Sequence, residues 1–143
     1  MKRRTFIKTS ALAASAFYIG SSRAYAASDE LRVAVIGLNG KGKSAIKDVF
    51  RTDGARLVTI CDADTDVLAN RAADIQKDYG VKVQQVQDYR RVLDDPNIDA
   101  ITITTPNHWH ALMAIQGCQA GKDVYCEKPG SHNLFEGRKM IEA

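Results

Sequence analysis

The chain has 143 residues, 45% of them hydrophobic and 26% charged, enough for one domain with a modest core. Its formal net charge of +3 is no argument for a nucleic-acid partner. Five of the 20 basic residues (Lys2, Arg3, Arg4, Lys8 and Arg23) and none of the 17 acidic ones lie in the first 26 positions, so the other 117 residues carry 15 basic against 17 acidic side chains, a net charge of −2.

Residues 1–26 read as an export signal and not as part of the fold. Arg3-Arg4 followed by Phe6-Ile7-Lys8, then an apolar Ala-rich run over residues 9–18, then Ala24-Tyr25-Ala26 stand in the order charged region, hydrophobic region, A-x-A cleavage site. The paired arginines point to the twin-arginine route, so the protein is expected to be exported to the periplasm, with no membrane attachment after cleavage. A short membrane anchor or a basic tail is the alternative; the run is too short and too rich in small residues to span a bilayer comfortably.

The fold proper is then expected over residues 27–143. Residues 31–37 (LRVAVIG) read as a strand, and residues 41–51 as a helix with Ala45, Ile46, Val49 and Phe50 at helical spacing. Thr52-Asp53-Gly54 is a turn, and residues 55–61 (ARLVTIC) are a second strand. Residues 65–79 form a helix with Val67, Leu68, Ala72 and Ile75 on one face, stopped by Gly80. A weaker third strand covers residues 81–86 and a helical turn residues 88–93. Residues 100–104 are a fourth strand, 109–120 a helix stopped by Gly121, 123–126 a fifth strand, and 134–143 a helix that carries no stop signal.

Strands and helices alternating at this spacing predict right-handed crossovers and an α/β fold with a doubly wound parallel sheet, strand order 3-2-1-4-5. The first, second, fourth and fifth runs are expected to be covered by helices on both faces. Tyr125 and Cys126 read as strand packing. Among the three cysteines, Cys61, Cys118 and Cys126, there is no C-x-x-C pair, and Cys61 and Cys126 read as small buried thiols.

The first strand runs into Gly37-Leu38-Asn39-Gly40-Lys41-Gly42-Lys43-Ser44, which fits two phosphate-binding patterns. As G-x-x-x-x-G-K-S it is a full match to the triphosphatase P-loop, with Lys43 on phosphate and Ser44 on magnesium. As G-x-N-x-x-G it is a dinucleotide fingerprint in which Gly37 makes the tight turn, Gly42 allows close packing, and Asn39 stands where a glycine would let the backbone approach the pyrophosphate. Asn tolerates left-handed backbone angles better than most residues, and Gly40 follows it. In both readings phosphate sits on a helix N-terminus. The loop alone favours the triphosphatase. Asp62, 25 residues after Gly37 at the end of the second strand, could accept both hydroxyls of an adenosine ribose or could hold magnesium. Export argues for the dinucleotide, because ATP is not expected at the destination.

The later motifs separate the two. Asp99-Ala100, Thr105-Pro106-Asn107-His108-Trp109-His110 and Ala120-Gly121-Lys122-Asp123-Val124-Tyr125-Cys126-Glu127-Lys128-Pro129 closely resemble the Gfo/Idh/MocA family, which includes glucose–fructose oxidoreductase and inositol dehydrogenase. Ser131-His132-Asn133 and Glu136-Gly137-Arg138-Lys139 resemble secreted members of it. The resemblance covers residues 31–143 and departs from the family pattern at Asn39. It implies an oxidoreductase that transfers hydride between NAD(H) and a carbohydrate-like alcohol or ketone, with NAD expected over NADP because Asp62 would repel the extra phosphate. It implies that Thr105 and Pro106 line the cofactor, that Asn107 and His110 approach its nicotinamide end, that Glu127 contacts the nicotinamide ribose, and that Lys128 approaches the substrate hydroxyl. It further implies a cis bond between Lys128 and Pro129 that aims the Glu127 and Lys128 side chains inward.

The candidate cofactor-binding residues are thus Gly37, Asn39, Gly40, Gly42, Asp62, Thr105, Pro106, Asn107, His110, Glu127, Lys128 and Pro129, with Lys128 also the candidate catalytic residue and no metal. His110 also reads as a first-turn helix residue partnered by backbone, and residues 127–129 as a surface turn. Complete relatives carry a second, α+β domain that supplies the substrate pocket. The chain is expected to be the truncated cofactor-binding half, catalytically silent alone, with apolar surface exposed and a homo-oligomer open to the complete protein. An NAD-dependent glycosidase of the same superfamily and a cofactor-binding protein without a reaction are the alternatives.

Overall fold

In a computed structural model the structure describes residues 30–143; the signal reading and the boundary at residue 26 lie outside the described residues. Five strands form one parallel sheet: β1 (Leu31–Ile36), β2 (Ala55–Cys61), β3 (Gln84–Val86), β4 (Ala100–Ile103) and β5 (Asp123–Cys126), in the expected order β3-β2-β1-β4-β5. The helices are α1 (Lys41–Arg51), α2 (Thr65–Tyr79), α3 (Tyr89–Asp94), α4 (His110–Gln119) and α5 (Leu134–Glu142).

Alternation along β1 divides the core into two layers. Val33 and Val35 pack with Ile46 and Val49 of α1 and Leu68 and Ile75 of α2. Ala34 and Ile36 face the other way, into a cluster with Val92, Leu93, Ile98, Ile101, Ile103 and Met113. Burying each such aliphatic side chain contributes about 1.5–3 kcal/mol, so β1, buried on both faces, anchors the sheet.

Local signals explain where the elements begin and end. The Asp64 carboxylate caps α2 by accepting from the amides of Asp66 and Val67 at 2.9 and 3.2 Å, and Gly80 ends it at φ 71. Asp88 caps α3, and Asn133 caps α5 by accepting from the Glu136 amide at 2.9 Å, while the Glu136 carboxylate reaches back to the amide of His132, one residue before the cap, at 2.8 Å. Leu134, Phe135 and Ile141 of α5 are turned to solvent.

The structure corrects four readings. β3 spans three residues instead of six, because only Gln84, Gln85 and Val86 find partners on β2. The chain enters α4 through a 3-10 turn, Asn107–Trp109, in which the amide of Trp109 bonds the Pro106 carbonyl at 3.0 Å. β5 is an edge strand covered on one face only: Val124 and Cys126 pack on the core, whereas Tyr125 is 60% exposed rather than packed. Cys126 is accordingly only half-buried.

At the amino edge of the sheet, Asp99 takes the Arg32 guanidinium at 2.7 and 2.8 Å and the Arg32 amide at 3.0 Å, with only 2% of its side chain exposed. Lys122 donates to the carbonyls of Asp95 and Ile98 at 2.6 and 2.8 Å. These groups tie β1, β4 and the turn before β5 together on the side opposite the candidate site.

Candidate functional site

At the carboxyl edge the chain leaves β1 at Gly37, whose φ is 89 and whose amide bonds the Cys61 carbonyl at 2.8 Å. A Cβ on Gly37 would lie 2.7 Å from the Thr105 amide nitrogen, and one on Gly42 would lie 2.1 Å from the Gly37 carbonyl oxygen. Neither position accepts a side chain without moving backbone, so the loop and α1 stand as close to the sheet as a fingerprint loop requires. The positive φ of the turn falls on Gly40, while Asn39 keeps an ordinary negative φ; the Asn substitution therefore needs no left-handed backbone.

Among the described residues no side chain caps α1, and its first turn holds no acid. The neighbouring α2 and α3 have aspartate caps. The amides of Gly42 and Lys43 close onto the Asn39 and Gly40 carbonyls at 2.9 and 3.2 Å, and the start of α1, free of a side-chain cap, leaves its dipole and the amides before Gly42 for an anion. The triphosphatase alternative fails here. α1 begins at Lys41, two residues before Lys43, so Lys43 and Ser44 belong to the helix. Lys43 lines the groove between α1 and α2 with Arg71 and Lys77, whereas Ser44 donates to the Lys41 carbonyl at 2.8 Å. The two side chains do not converge on the loop as phosphate and magnesium ligands must.

Asp62 follows β2 with its carboxylate pinned by two amides: Oδ2 accepts from Leu38 at 2.9 Å and Oδ1 from Asp64 at 3.1 Å. Each carboxylate oxygen keeps a lone pair for a further donor. Asp62, Gly37, Thr105 and Pro106 line one cleft of about 490 Å³, together with Cys61, Tyr89, Trp109 and Met113. The outer wall also includes Asp88 and Arg90, which the sequence reading missed. The Arg90 guanidinium holds Asp88 at 2.6–3.1 Å and its hydrogen bonds pull that carboxyl down to about 2. Strand order could have found them, since β3 must exit beside Asp62. Burial, then the Asp62 and Asp88 carboxylates, push the Cys61 thiol from the ordinary 9.0 up to about 12.

The second half of the site lies past β4 and β5. Thr104 Oγ1 donates to the Gly37 carbonyl at 2.5 Å, holding the β4 exit against the glycine loop. Asn107 lies exposed in the 3-10 turn. His110 is 2% exposed, with Nδ1 2.8 Å from the Pro129 carbonyl oxygen and Nε2 2.7 Å from that of Thr105. Both ring nitrogens are committed to backbone, the alternative that the sequence left open, so the imidazole has none to offer a cofactor directly.

Glu127 is 16% exposed, accepts from the Lys128 amide at 3.1 Å, and lies 3.6 Å from Lys41 Nζ. The expected cis bond joins Lys128 to Pro129. Only the Glu127 side chain is drawn in; Lys128 and Pro129 are exposed. Lys41, unmarked in sequence except as the first helical residue, links the phosphate loop to this corner. Burial and Glu127 raise the Cys126 thiol to about 11. Gly37, Asp62, Thr105 and Pro106 therefore share one cleft. Glu127 lies across the edge from them, lining a separate groove of about 550 Å³ beside α1 with Lys41 and Tyr125.

The site fits a dinucleotide. Its two glycines form a cradle that a Cβ would fill, the start of α1 has no side-chain cap, and a pinned carboxylate lines the cleft on the same edge. A model of the oxidoreductase family GFO_IDH_MocA, NAD-binding Rossmann fold, matches residues 31–143. The chain is 34% identical over 134 residues to a glycosyl hydrolase family 109 protein of Stenotrophomonas maltophilia, covering 89% of this chain and 29% of that protein. It is 32% identical to the myo-inositol 2-dehydrogenase of Thermotoga maritima, covering 78% of this chain and 32% of the relative. The WlbA dehydrogenase of Bordetella pertussis, solved in complex with NADH and UDP-GlcNAcA, superposes with a TM-score of 0.72 at 28% identity over 80% of this chain and 33% of that one. The chain thus spans about a third of the length of these relatives.

Proposed function

The chain belongs to the Gfo/Idh/MocA oxidoreductase family through its NAD-binding Rossmann domain, and on that premise we propose that it serves an exported enzyme acting on a sugar or polyol-like substrate. The observation that carries this reading is the convergence on one sheet edge of an uncapped helix start, two glycines without room for a side chain, and the pinned Asp62 carboxylate. NAD(H), when bound, supplies the ring that accepts or returns hydride.

In this reading the amides of residues 39–41 receive the pyrophosphate, with Asn39 and Gly40 shaping the turn that the Gly42 amide closes onto the Asn39 carbonyl at 2.9 Å. Asp62 accepts from the adenosine ribose hydroxyls and disfavours NADP. Thr105 and Pro106 wall the cleft. Asn107, Glu127 and Pro129 border the nicotinamide end. Lys128 Nζ faces the substrate oxygen, where an ammonium favours the alkoxide character that develops as hydride leaves carbon. Hydride transfer needs the reacting carbon held and shielded from water. In this reading the remaining walls of that pocket come from a region like the two thirds of the relatives' length that this chain does not match.

The test is the full-length protein, incubated with NAD and a panel of polyols and sugars. Substrate-dependent NADH formation is the expected result; its absence across the panel contradicts dehydrogenase action. A second reading is favoured by the 34% identity to a glycosyl hydrolase family 109 protein: a glycosidase with transient redox chemistry on bound NAD. It predicts glycoside cleavage with no net NADH. Export rests on the order of features before residue 27. Replacing both Arg3→Lys and Arg4→Lys should leave precursor in the cytoplasm, and unchanged export would exclude the twin-arginine route.

A further inference from the structure

His110 belongs to neither face of the cleft, yet it lies where the two halves of the nicotinamide side come apart. β4 and β5 pair as far as Ile103 and Cys126, and the last backbone bond between them runs from the Glu127 amide to the Ile103 carbonyl at 3.0 Å. Beyond it the β4 exit turns into Pro106 and the 3-10 turn, while the β5 exit turns through Lys128 and Pro129. Among the described residues no backbone–backbone hydrogen bond joins the two loops after that point. The imidazole of His110 fills the gap: its two nitrogens reach Thr105 O on one loop and Pro129 O on the other at 2.7 and 2.8 Å.

Both partners are carbonyl oxygens, which only accept. A group placed here must therefore donate, and a ring with one N–H serves one loop while a ring with two serves both. An apolar residue of equal size would take this donor from both carbonyls and leave the two loops without a tie at this point. Burial of the ring also keeps water from replacing it.

We infer that His110 is a positioning residue: it sets the spacing between the Thr105 loop and the corner at residues 127–129, and so fixes the width of the nicotinamide end without touching the cofactor. At the adenosine end Asp62 is held by the Leu38 and Asp64 amides and Gly37 by the Cys61 carbonyl, none of them a partner of His110, so that end should depend on it far less. This rests on the dinucleotide reading above.

The experiment measures two ligands on the full-length protein by calorimetry: NADH, and ADP-ribose, which lacks the nicotinamide. His110→Ala should weaken NADH about tenfold while ADP-ribose affinity stays within about twofold, the size expected for losing a buried hydrogen-bonded tie. His110→Asn keeps a donor near the Nδ1 position and His110→Gln near the Nε2 position; each should recover part of the NADH affinity. Should His110→Ala fail to fold, the two amide variants carry the test, since each must still weaken NADH more than ADP-ribose. Equal weakening of both ligands makes His110 a purely structural residue and overturns the inference, as does unchanged NADH affinity. Failure of the unsubstituted protein to bind NADH overturns the dinucleotide reading instead.

Discussion

The two edges of this sheet are made from the same strands and treat polar groups in opposite ways. At the amino edge Asp99, Arg32 and Lys122 saturate one another and nearby carbonyls. At the carboxyl edge α1 starts without a side-chain cap, Asp62 keeps unused lone pairs, and Lys128 stands in solvent. Charge at one edge holds the fold together, and charge at the other is left for a ligand. Substitutions at the first should therefore cost stability, and substitutions at the second should cost binding or turnover.

The largest effect should come from the amino edge. Asp99→Ala removes the buried half of a part-buried pair together with its bond to the Arg32 amide, and is expected to cost about 3 kcal/mol, lowering the melting temperature by about 10 °C. A thermal melt within a degree or two of the unsubstituted protein would make this edge as dispensable as a surface ion pair.

At the carboxyl edge Gly42→Val should lower NAD affinity at least about 100-fold, because the loop must move away from the sheet to admit a side chain. Retained affinity in a titration would mean that phosphate does not sit on this turn. In the full-length enzyme Lys128→Ala should lower turnover about 100-fold, within the range for losing a positioned acid–base group, while NAD affinity and melting temperature change little. Full activity would remove Lys128 from the chemistry.

The cysteines give the mildest contrast. Cys118 is exposed and should react readily with a thiol reagent at neutral pH, whereas Cys61 and Cys126, with thiols raised to about 12 and 11, should label slowly until the protein unfolds. A raised thiol stabilises the fold fully below its ordinary 9.0, and that contribution fades as pH climbs toward about 12 for Cys61. Stability should therefore decline on the alkaline side, which a urea series from neutral pH upward would detect.

Much of this was legible in the sequence because hydrophobic period and punctuation agree. Val33–Ile36 declares a strand buried on both faces, and Asp64 and Gly80 bracket α2. The strand order and the placing of Gly37, Asp62 and Thr105 on one edge follow from the alternation of elements. What stayed hidden depends on partners. Tyr125 resembles core until the α1 side of β5 proves uncovered. Residues 81–83 have strand composition but do not pair with β2, whose ladder to β3 begins at Thr59 and Gln84. The glycine loop by itself favoured the wrong pattern and the later motifs overruled it; the structure adds that Lys43 and Ser44 lie within α1 and do not converge on the loop. His110 could be placed on a ligand or on backbone with equal ease, and only the convergence of two loops decides it.

The central claim is that the open edge holds NAD through Asp62 and the loop from Gly37 to Gly42. Titrating NAD and NADP into the protein, with and without Asp62→Ala, tests it most directly. The account predicts that NAD binds at least about tenfold more tightly than NADP, the scale of one lost hydrogen bond to a charged group, and that Asp62→Ala narrows the gap by weakening NAD. Tighter binding of NADP, or a preference untouched by Asp62→Ala, would contradict it.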